Sequence, residues 1–295
     1  MQDALGIELP DDGSLIGESW ELFDRPEGSS RICGTSETLG ELVRRAPDEL
    51  VGQGASMGYG GSFPLTLKFL DAREACSLQV HPSNETARGD LGKDECCLVL
   101  ATGDDARFVH GFRPGVDLEQ LFQRWTTDGA ESMLYSFRPE RGQLIHVPPG
   151  TVHAMGPGVV AFEVQQNSDQ TYRIYDWGRG RETDPEAARA VVQNVVNEEC
   201  PARGSTSLAD GGELMLVTEH FAVRRYDVAH RVELPTNGRF LTVTCLSGGG
   251  RLHWSDGKSL PLTQAATALV PACTPMVAVE PSERIDVVVC SPGSC

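Results

Sequence analysis

Gln79, His81, Lys93, Glu95 and His153 are the residues of this chain whose types and spacing could do chemistry. They stand in three short segments: Ser77-Leu78-Gln79-Val80-His81-Pro82, Gly92-Lys93-Asp94-Glu95 and Pro148-Pro149-Gly150-Thr151-Val152-His153-Ala154. Side chains alternate faces along a strand, so residues two apart share a face. Ser77, Gln79 and His81 are expected on one face, with Cys76, Leu78 and Val80 on the other. Lys93 and Glu95 share a face by the same rule. Two imidazoles and a carboxylate on separate strands of one barrel would hold a divalent metal and keep a position for water or substrate, and Gln79, on the strand face of His81, could add an amide oxygen. Such donors suit Zn²⁺, Fe²⁺, Mn²⁺ or Co²⁺, so donor type alone leaves the ion open. Spacing alone also leaves a second reading open, with His81 as a strand-end histidine and Glu95 as a solvated carboxylate. His110 and His146, without a polar residue at period two, read as structural. Cys96 and Cys97 are adjacent, so their thiols should point to opposite faces rather than pair as ligands.

The elements that must position these groups read as short strands broken by Gly, Pro, Asp and Ser. Examples are 67–70, 97–101, 107–110, 142–147, 159–164, 221–228, 239–246 and 285–290. Three helices are expected: 38–51, with Leu39, Leu42, Val43 and Leu50 at near-helical spacing; 117–125, behind an acidic first turn; and 184 to about 197, where Pro185 occupies the first turn. Many short antiparallel strands predict a mainly β protein of two cupin-type jelly-roll barrels with a few short helices. The polar, glycine-rich stretch 201–212 reads as a linker. It divides a metal-binding catalytic domain (1–200) from a C-terminal cupin-like domain (213–295). A faint internal duplication supports two units. The segment 143–153 can be laid on 264–276, and 98–103 on 243–248, so that His153 falls on Met276 and Glu95 on Phe240. The second unit then lacks the ligands.

With 295 residues, 40% of them hydrophobic and 23% charged, the chain can bury a substantial core. No apolar run reaches the roughly 18 residues that span a bilayer. The first residues, Met1 to Asp12, lack the basic and apolar regions of a signal peptide, so a cytoplasmic protein is expected. Nine cysteines, an odd number without a Cys-x-x-Cys pair, fit buried free thiols better than a disulfide framework. A formal charge of −17 argues against nucleic acid or an anionic membrane as partner. A small anionic substrate is compatible, because charges beyond about 10 Å are largely screened and the local cluster decides.

Six motifs in one order then carry a resemblance: Gly17-Glu18-Ser19-Trp20-Glu21, Phe63 to Ala72, Ser77 to Pro82, Gly92 to Glu95, Gly150 to Ala154, and Gln165 to Asp176. Together they resemble the type I mannose-6-phosphate isomerases (phosphomannose isomerases) in the short bacterial form, over about residues 17–197. The resemblance implies a two-cupin enzyme with one zinc per chain, held by Gln79, His81, Glu95 and His153. It implies a small-molecule sugar phosphate as substrate, interconverted between mannose 6-phosphate and fructose 6-phosphate. The family's active-site positions fall on Lys68, Ser77, Lys93, Asp169 and Arg173.

Aldose–ketose isomerisation moves a proton between C1 and C2 through a cis-enediol. It needs an electrophile for the developing oxyanion and a base for the proton. Arg173 would supply a planar cationic fork, and Lys68 and Lys93 contacts to phosphate or hydroxyl groups. Asp169 is the first candidate for the base, then Lys93, then water on the metal. The same site could serve a different metal-dependent cupin enzyme, an oxygenase or an epimerase, or a non-catalytic sugar-phosphate-binding regulator. Sixteen residues precede Gly17, without the family's Trp-Gly-Gly segment, which predicts an exposed sheet edge beside the barrel.

Overall fold

The computed structural model describes residues 6–7, 16–202 and 204–293. Strands dominate. In chain order they begin with β1 (Glu18–Leu22), β2 (Asp24–Arg25), β3 (Gly28–Ser29), β4 (Leu65–Ala72), β5 (Leu78–Val80) and β6 (Glu95–Thr102). Next come β7 (Phe108–Phe112), β8 (Leu134–Phe137), β9 (Leu144–Val147), β10 (His153–Met155), β11 (Val159–Gln166) and β12 (Tyr172–Tyr175). The remainder are β13 (Thr206–Ser207), β14 (Glu213–Val217), β15 (Phe221–Val228), β16 (Val232–Pro235), β17 (Leu241–Trp254), β18 (Ser259–Thr263), β19 (Thr267–Val270) and β20 (Met276–Pro292). Among the described residues no helix is long and apolar enough to cross a membrane.

The helices are short: α1 (Leu39–Arg45), α2 (Pro47–Leu50), α3 (Leu118–Phe122) and α4 (Pro185–Val191). The single helix expected over 38–51 is two, because Pro47 lacks an N–H and opens a new helix after Ala46. Thr38 caps α1, its hydroxyl accepting from the Glu41 N–H while the Glu41 carboxylate accepts from the Thr38 N–H. Asp184 caps α4, which stops at Val191 rather than Asn197 because Val192 turns to extended backbone.

Two compact units emerge. One holds the described residues of Leu15–Ser19 and Leu67–Arg203 and carries every candidate site residue. The other holds Trp20–Thr66 with the described residues of Met1–Ser14 and Gly204–Cys295. The grouping differs from a cut at 201–212, since Trp20–Thr66 joins the C-terminal residues. Backbone pairing is the reason: Phe240 N–H donates to the Val51 carbonyl, Ala272 N–H to that of Leu50, and the Phe63 and Phe240 rings lie 4.7 Å apart. The expected linker also contributes a strand, because Thr206 and Ser207 pair with Leu214 and Glu213.

In the site-bearing unit, one five-stranded sheet runs β1-β4-β11-β6-β9 and a second β12-β5-β10-β7-β8. Leu70, Cys97, Val99 and Ala161 of the first meet Phe108 and Met155 of the second in one buried cluster, so the sheets face each other. The outer face of the second sheet (Leu78, Val80, Val109, Ala154) packs on Leu121 of α3 and on Ala187 and Ala188 of α4. Gln79 and His153 alternate with Leu78, Val80 and Ala154 and therefore point between the sheets. Glu95 points there too, in step with Cys97 and Val99. Cys76 breaks the expected parity. It packs with the inner cluster rather than with Leu78 and Val80, because β5 begins only at Leu78.

In the other unit, β19 pairs with β17 as β9 pairs with β6, and Val270 closes β19 as Val147 closes β9. Val147 stands opposite Glu95 and Val270 opposite Leu241, so the register equivalent of Glu95 is Leu241, one residue beyond the expected Phe240. Leu241 lies in the hydrophobic core. Met276, the first residue of β20 as His153 is of β10, is exposed.

Candidate active site

A row of paired residues crosses the second sheet: Arg173 on β12 is opposite Gln79 on β5, Gln79 opposite His153 on β10, and His153 opposite His110 on β7. Partners in an antiparallel register share a face, so all four side chains enter the interior. A turn delivers His153. Thr151 N–H donates to the Pro148 carbonyl, and Gly150, at φ +85°, holds the left-handed position that follows Pro149. A Cβ at Gly150 would also come within 2.6 Å of Gln193 Cγ.

His81, Glu95 and His153 are buried, with their ligand atoms all within 4.8 Å of one another. Glu95 Oε1 lies 3.0 Å from His153 Nε2 and 3.5 Å from His81 Nε2. Each imidazole has its far nitrogen on a carbonyl, His81 Nδ1 2.9 Å from Gln170 O and His153 Nδ1 3.0 Å from Thr151 O. An Nδ1–H donated outward leaves the Nε2 lone pair facing the centre, the tautomer that ligates a metal. The Gln79 amide reaches the same point, 3.2 Å from His153 Nε2, and its other end accepts from Ser77 Oγ at 3.1 Å. Two imidazoles and one carboxylate, all buried and mutually aimed, fit a divalent ion, and the half-buried Gln79 amide lies beside them.

Charge alternates along the adjoining wall. Lys93 Nζ lies 2.8 Å from Glu95 Oε2, and Lys68 Nζ lies 3.8 Å from Glu163 Oε1 and 3.7 Å from Glu18 Oε2. Burial alone would lower the Lys93 pKa, but Glu95 and then Glu163 outweigh it and hold the ammonium charged. Burial likewise opposes the Glu95 charge, yet Lys93 and His81 carry its carboxyl well below the usual range. Burial, reinforced by Lys93, takes His81 down to about 4, so it is neutral. Glu163 goes the other way: burial, with Glu95 adding to it, raises its pKa against the pull of Lys93 and Lys68. Glu163 Oε1 is buried with no hydrogen-bond partner among the described residues.

Of the expected site residues, Lys68, Ser77, Gln79, His81, Lys93, Glu95, His153 and Arg173 come together. Ser77 joins two of them, its Oγ donating to Gln79 Oε1 and accepting from Arg173 Nε at 3.2 Å. Asp169 is exposed in the turn after β11, its backbone N–H 3.5 Å from Asp90 Oδ2. The Ser168 hydroxyl forms that turn, accepting from the Gln170 N–H. Glu163 was not anticipated; the available signal was a lone carboxylate inside the apolar run Val159–Val164. His146 does have a polar partner, its Nε2 2.8 Å from Asp94 Oδ1, supplied by the residue just before β6 rather than at period two.

The sequence profile described as phosphomannose isomerase type I, catalytic domain, matches residues 1–97, which include Gln79, His81 and Glu95. Mannose-6-phosphate isomerase ManA of Bacillus subtilis is 32% identical over 269 residues, covering 84% of this chain and 82% of that protein. This chain belongs to the type I phosphomannose isomerase family. The mannose-6-phosphate isomerase of Streptococcus mutans is 28% identical over 266 residues, 85% of this chain and 81% of that one. A crystal structure of the Bacillus subtilis mannose 6-phosphate isomerase superposes with a TM-score of 0.85 at 27% identity, covering 98% and 93% of the two chains. A phosphomannose isomerase of Salmonella typhimurium shares the fold, with a TM-score of 0.83 at 15% identity. Membership in the phosphomannose isomerase family makes the His81–Glu95–His153 cluster the candidate metal centre of an isomerase.

Proposed function

We propose that the protein is a zinc-dependent aldose–ketose isomerase, interconverting mannose 6-phosphate and fructose 6-phosphate through a cis-enediol in the cytoplasm. The observation that carries this reading is the buried His81–Glu95–His153 cluster, with Gln79 beside it, in a chain of this family. His81, Glu95, His153 and Gln79 would hold the ion, which supplies Lewis-acid stabilisation of negative charge on a substrate oxygen. Lys93, fixed as a cation by Glu95 and Glu163, donates to the same oxygens rather than acting as a base. Arg173, on Ser77 and on the Glu182 carbonyl, presents a second cation at the mouth. Glu163 is the group best matched to move the proton: buried, with a raised pKa, and with Oε1 free of any hydrogen bond although Lys68 Nζ stands 3.8 Å away. It takes the proton from C2 and returns it to C1, while the hydroxyl proton passes from O2 to O1. Asp169, exposed and outside the buried set, fits that role less well. We read each unit as a cupin-type barrel, with the chemistry confined to the first. Incubation of zinc-replete protein with mannose 6-phosphate should yield fructose 6-phosphate, and a chelator should stop it. Absence of product from the zinc-replete protein would overturn the reading.

A further inference from the structure

Gln165, the last residue but one of β11, stands opposite Glu95 in register and is 1% exposed. It shares the inner face with Glu163, two residues before it, and with Ala161 of the buried cluster between the sheets. Both side chains end in an oxygen with no hydrogen-bond partner among the described residues, Glu163 Oε1 and Gln165 Oε1. We propose that Gln165 Oε1 accepts a hydrogen bond from a hydroxyl on C1 to C3 of the sugar phosphate and so selects a hydroxylated substrate. The inference rests on the substrate class proposed above.

The orientation of the amide is fixed. Gln165 Nε2 donates to the Gln166 carbonyl at 2.9 Å and to the Ser168 carbonyl at 2.7 Å, which engages both of its N–H groups. A flipped amide would set its oxygen against those two carbonyls, so Oε1 is the end left over. The carbonyls belong to the turn after β11, which is itself tied down. Ser168 Oγ donates to the Leu91 carbonyl at 2.7 Å, and Gln166 N–H to that of Asp94 at 3.0 Å. Gln165 Oε1 is thus a rigid, preset acceptor. Burying it without a donor costs free energy that an arriving hydrogen bond regains.

The surroundings decide the class of donor. The cations of this wall are engaged by carboxylates, Lys93 by Glu95 and Lys68 by Glu163 and Glu18. An anion is disfavoured, because the ionised Glu95 stands directly across the strand pair. An apolar group would leave the acceptor unpaired. A neutral hydroxyl supplies one hydrogen bond and no charge, and C1 to C3 of a sugar carry such groups on successive carbons. Two residues of strand span about 7 Å, within the reach of the two side chains together. A ligand whose C1 and C2 lie at Glu163 therefore brings the hydroxyls of that end to Gln165.

The test is calorimetric titration of zinc-loaded protein with mannitol 6-phosphate, a polyol that lacks the carbonyl and cannot isomerise, and with its 1-deoxy, 2-deoxy and 3-deoxy analogues. Gln165→Met keeps the length of the side chain and removes the oxygen. It should bind mannitol 6-phosphate about 10- to 100-fold more weakly than the wild type does. One deoxy analogue should bind the wild type with a similar loss, and Gln165→Met should cost that analogue almost nothing more. The other two analogues should feel the substitution in full. Equal weakening of the polyol and all three analogues marks a structural role and overturns the inference, as does unchanged binding. Should Gln165→Met fail to fold, a crystal structure of the zinc-loaded wild type with mannitol 6-phosphate decides. A sugar hydroxyl within about 3 Å of Gln165 Oε1 supports the contact, and none within about 4 Å defeats it. Wild type that binds the polyol but does not turn over mannose 6-phosphate refutes the proposed function and leaves this inference standing. Wild type that does not bind the polyol refutes the inference.

Discussion

Lys93, two residues before β6 opens at Glu95, forms a buried ion pair with Glu95, Nζ lying 2.8 Å from Oε2. Neither charge would be stable alone at that depth, and each is present because of the other. Glu95 Oε1 faces His81 and His153 while Oε2 holds the ammonium, so the pair would couple the candidate metal site to the proposed substrate contact of Lys93.

Glu95→Gln should break both links. Metal retained after dialysis should fall well below that of the wild type. Measured with chelator present, denaturant unfolding should give a stability lower by about 3–5 kcal/mol, toward the smaller figure because Glu163 also faces Lys93. Full metal retention would show that the carboxylate is not a ligand.

Zinc should stabilise the stripped protein, because a preformed cluster binds the native state alone. At a hundredfold excess over the dissociation constant the gain is about 2.7 kcal/mol. A urea titration with and without zinc measures it, and a His153→Ala variant should lose most of the gain.

Glu163→Gln should lower kcat by about 10²- to 10⁴-fold while metal content stays that of the wild type. Asp169→Asn should have a much smaller effect. The reverse ranking, read from kcat on mannose 6-phosphate, would move the proton transfer to Asp169.

Acid should destabilise the fold between about pH 6.5 and 4 through His110. Burial holds this imidazole at about 4 against an ordinary value of 6.5, although its hydrogen bond to the His146 carbonyl favours the protonated form. In that window the unfolded chain binds a proton that the native chain does not, so stability rises with pH and is complete above 6.5. The full effect is about 3 kcal/mol. His81, also near 4 in the metal-free protein, adds a second such proton. Unfolding free energies across the window should have a shallower pH slope in His110→Gln, by about one proton; an unchanged slope would contradict the assignment.

Strand parity put Gln79 and His81 on one face, while the resemblance, not spacing, singled out Gln79, His81, Glu95 and His153 as a set. The structure brings them together because Gln79, Glu95 and His153 lie on strands whose inner faces meet. Parity failed at Cys76, one residue outside β5, where no pairing enforces alternation. The segment Trp20–Thr66 joined the C-terminal residues through hydrogen bonds from Phe240 and Ala272, which no local pattern announces. The Asp94–His146 pair was hidden for a similar reason, since the partners are 52 residues apart and meet only when β6 and β9 pair. Glu163 could have been noticed, because a carboxylate inside an apolar strand demands a cationic partner. Its raised pKa follows from burial and then from Glu95, both of which require the folded interior.

His153 is paired in register with Gln79 on one side and His110 on the other, and 74 residues separate it from Gln79. A slip of one residue would turn it to the outer face. The three candidate ligands therefore meet only when β5, β6 and β10 are in register, and a bound ion would stabilise that register over any slipped one.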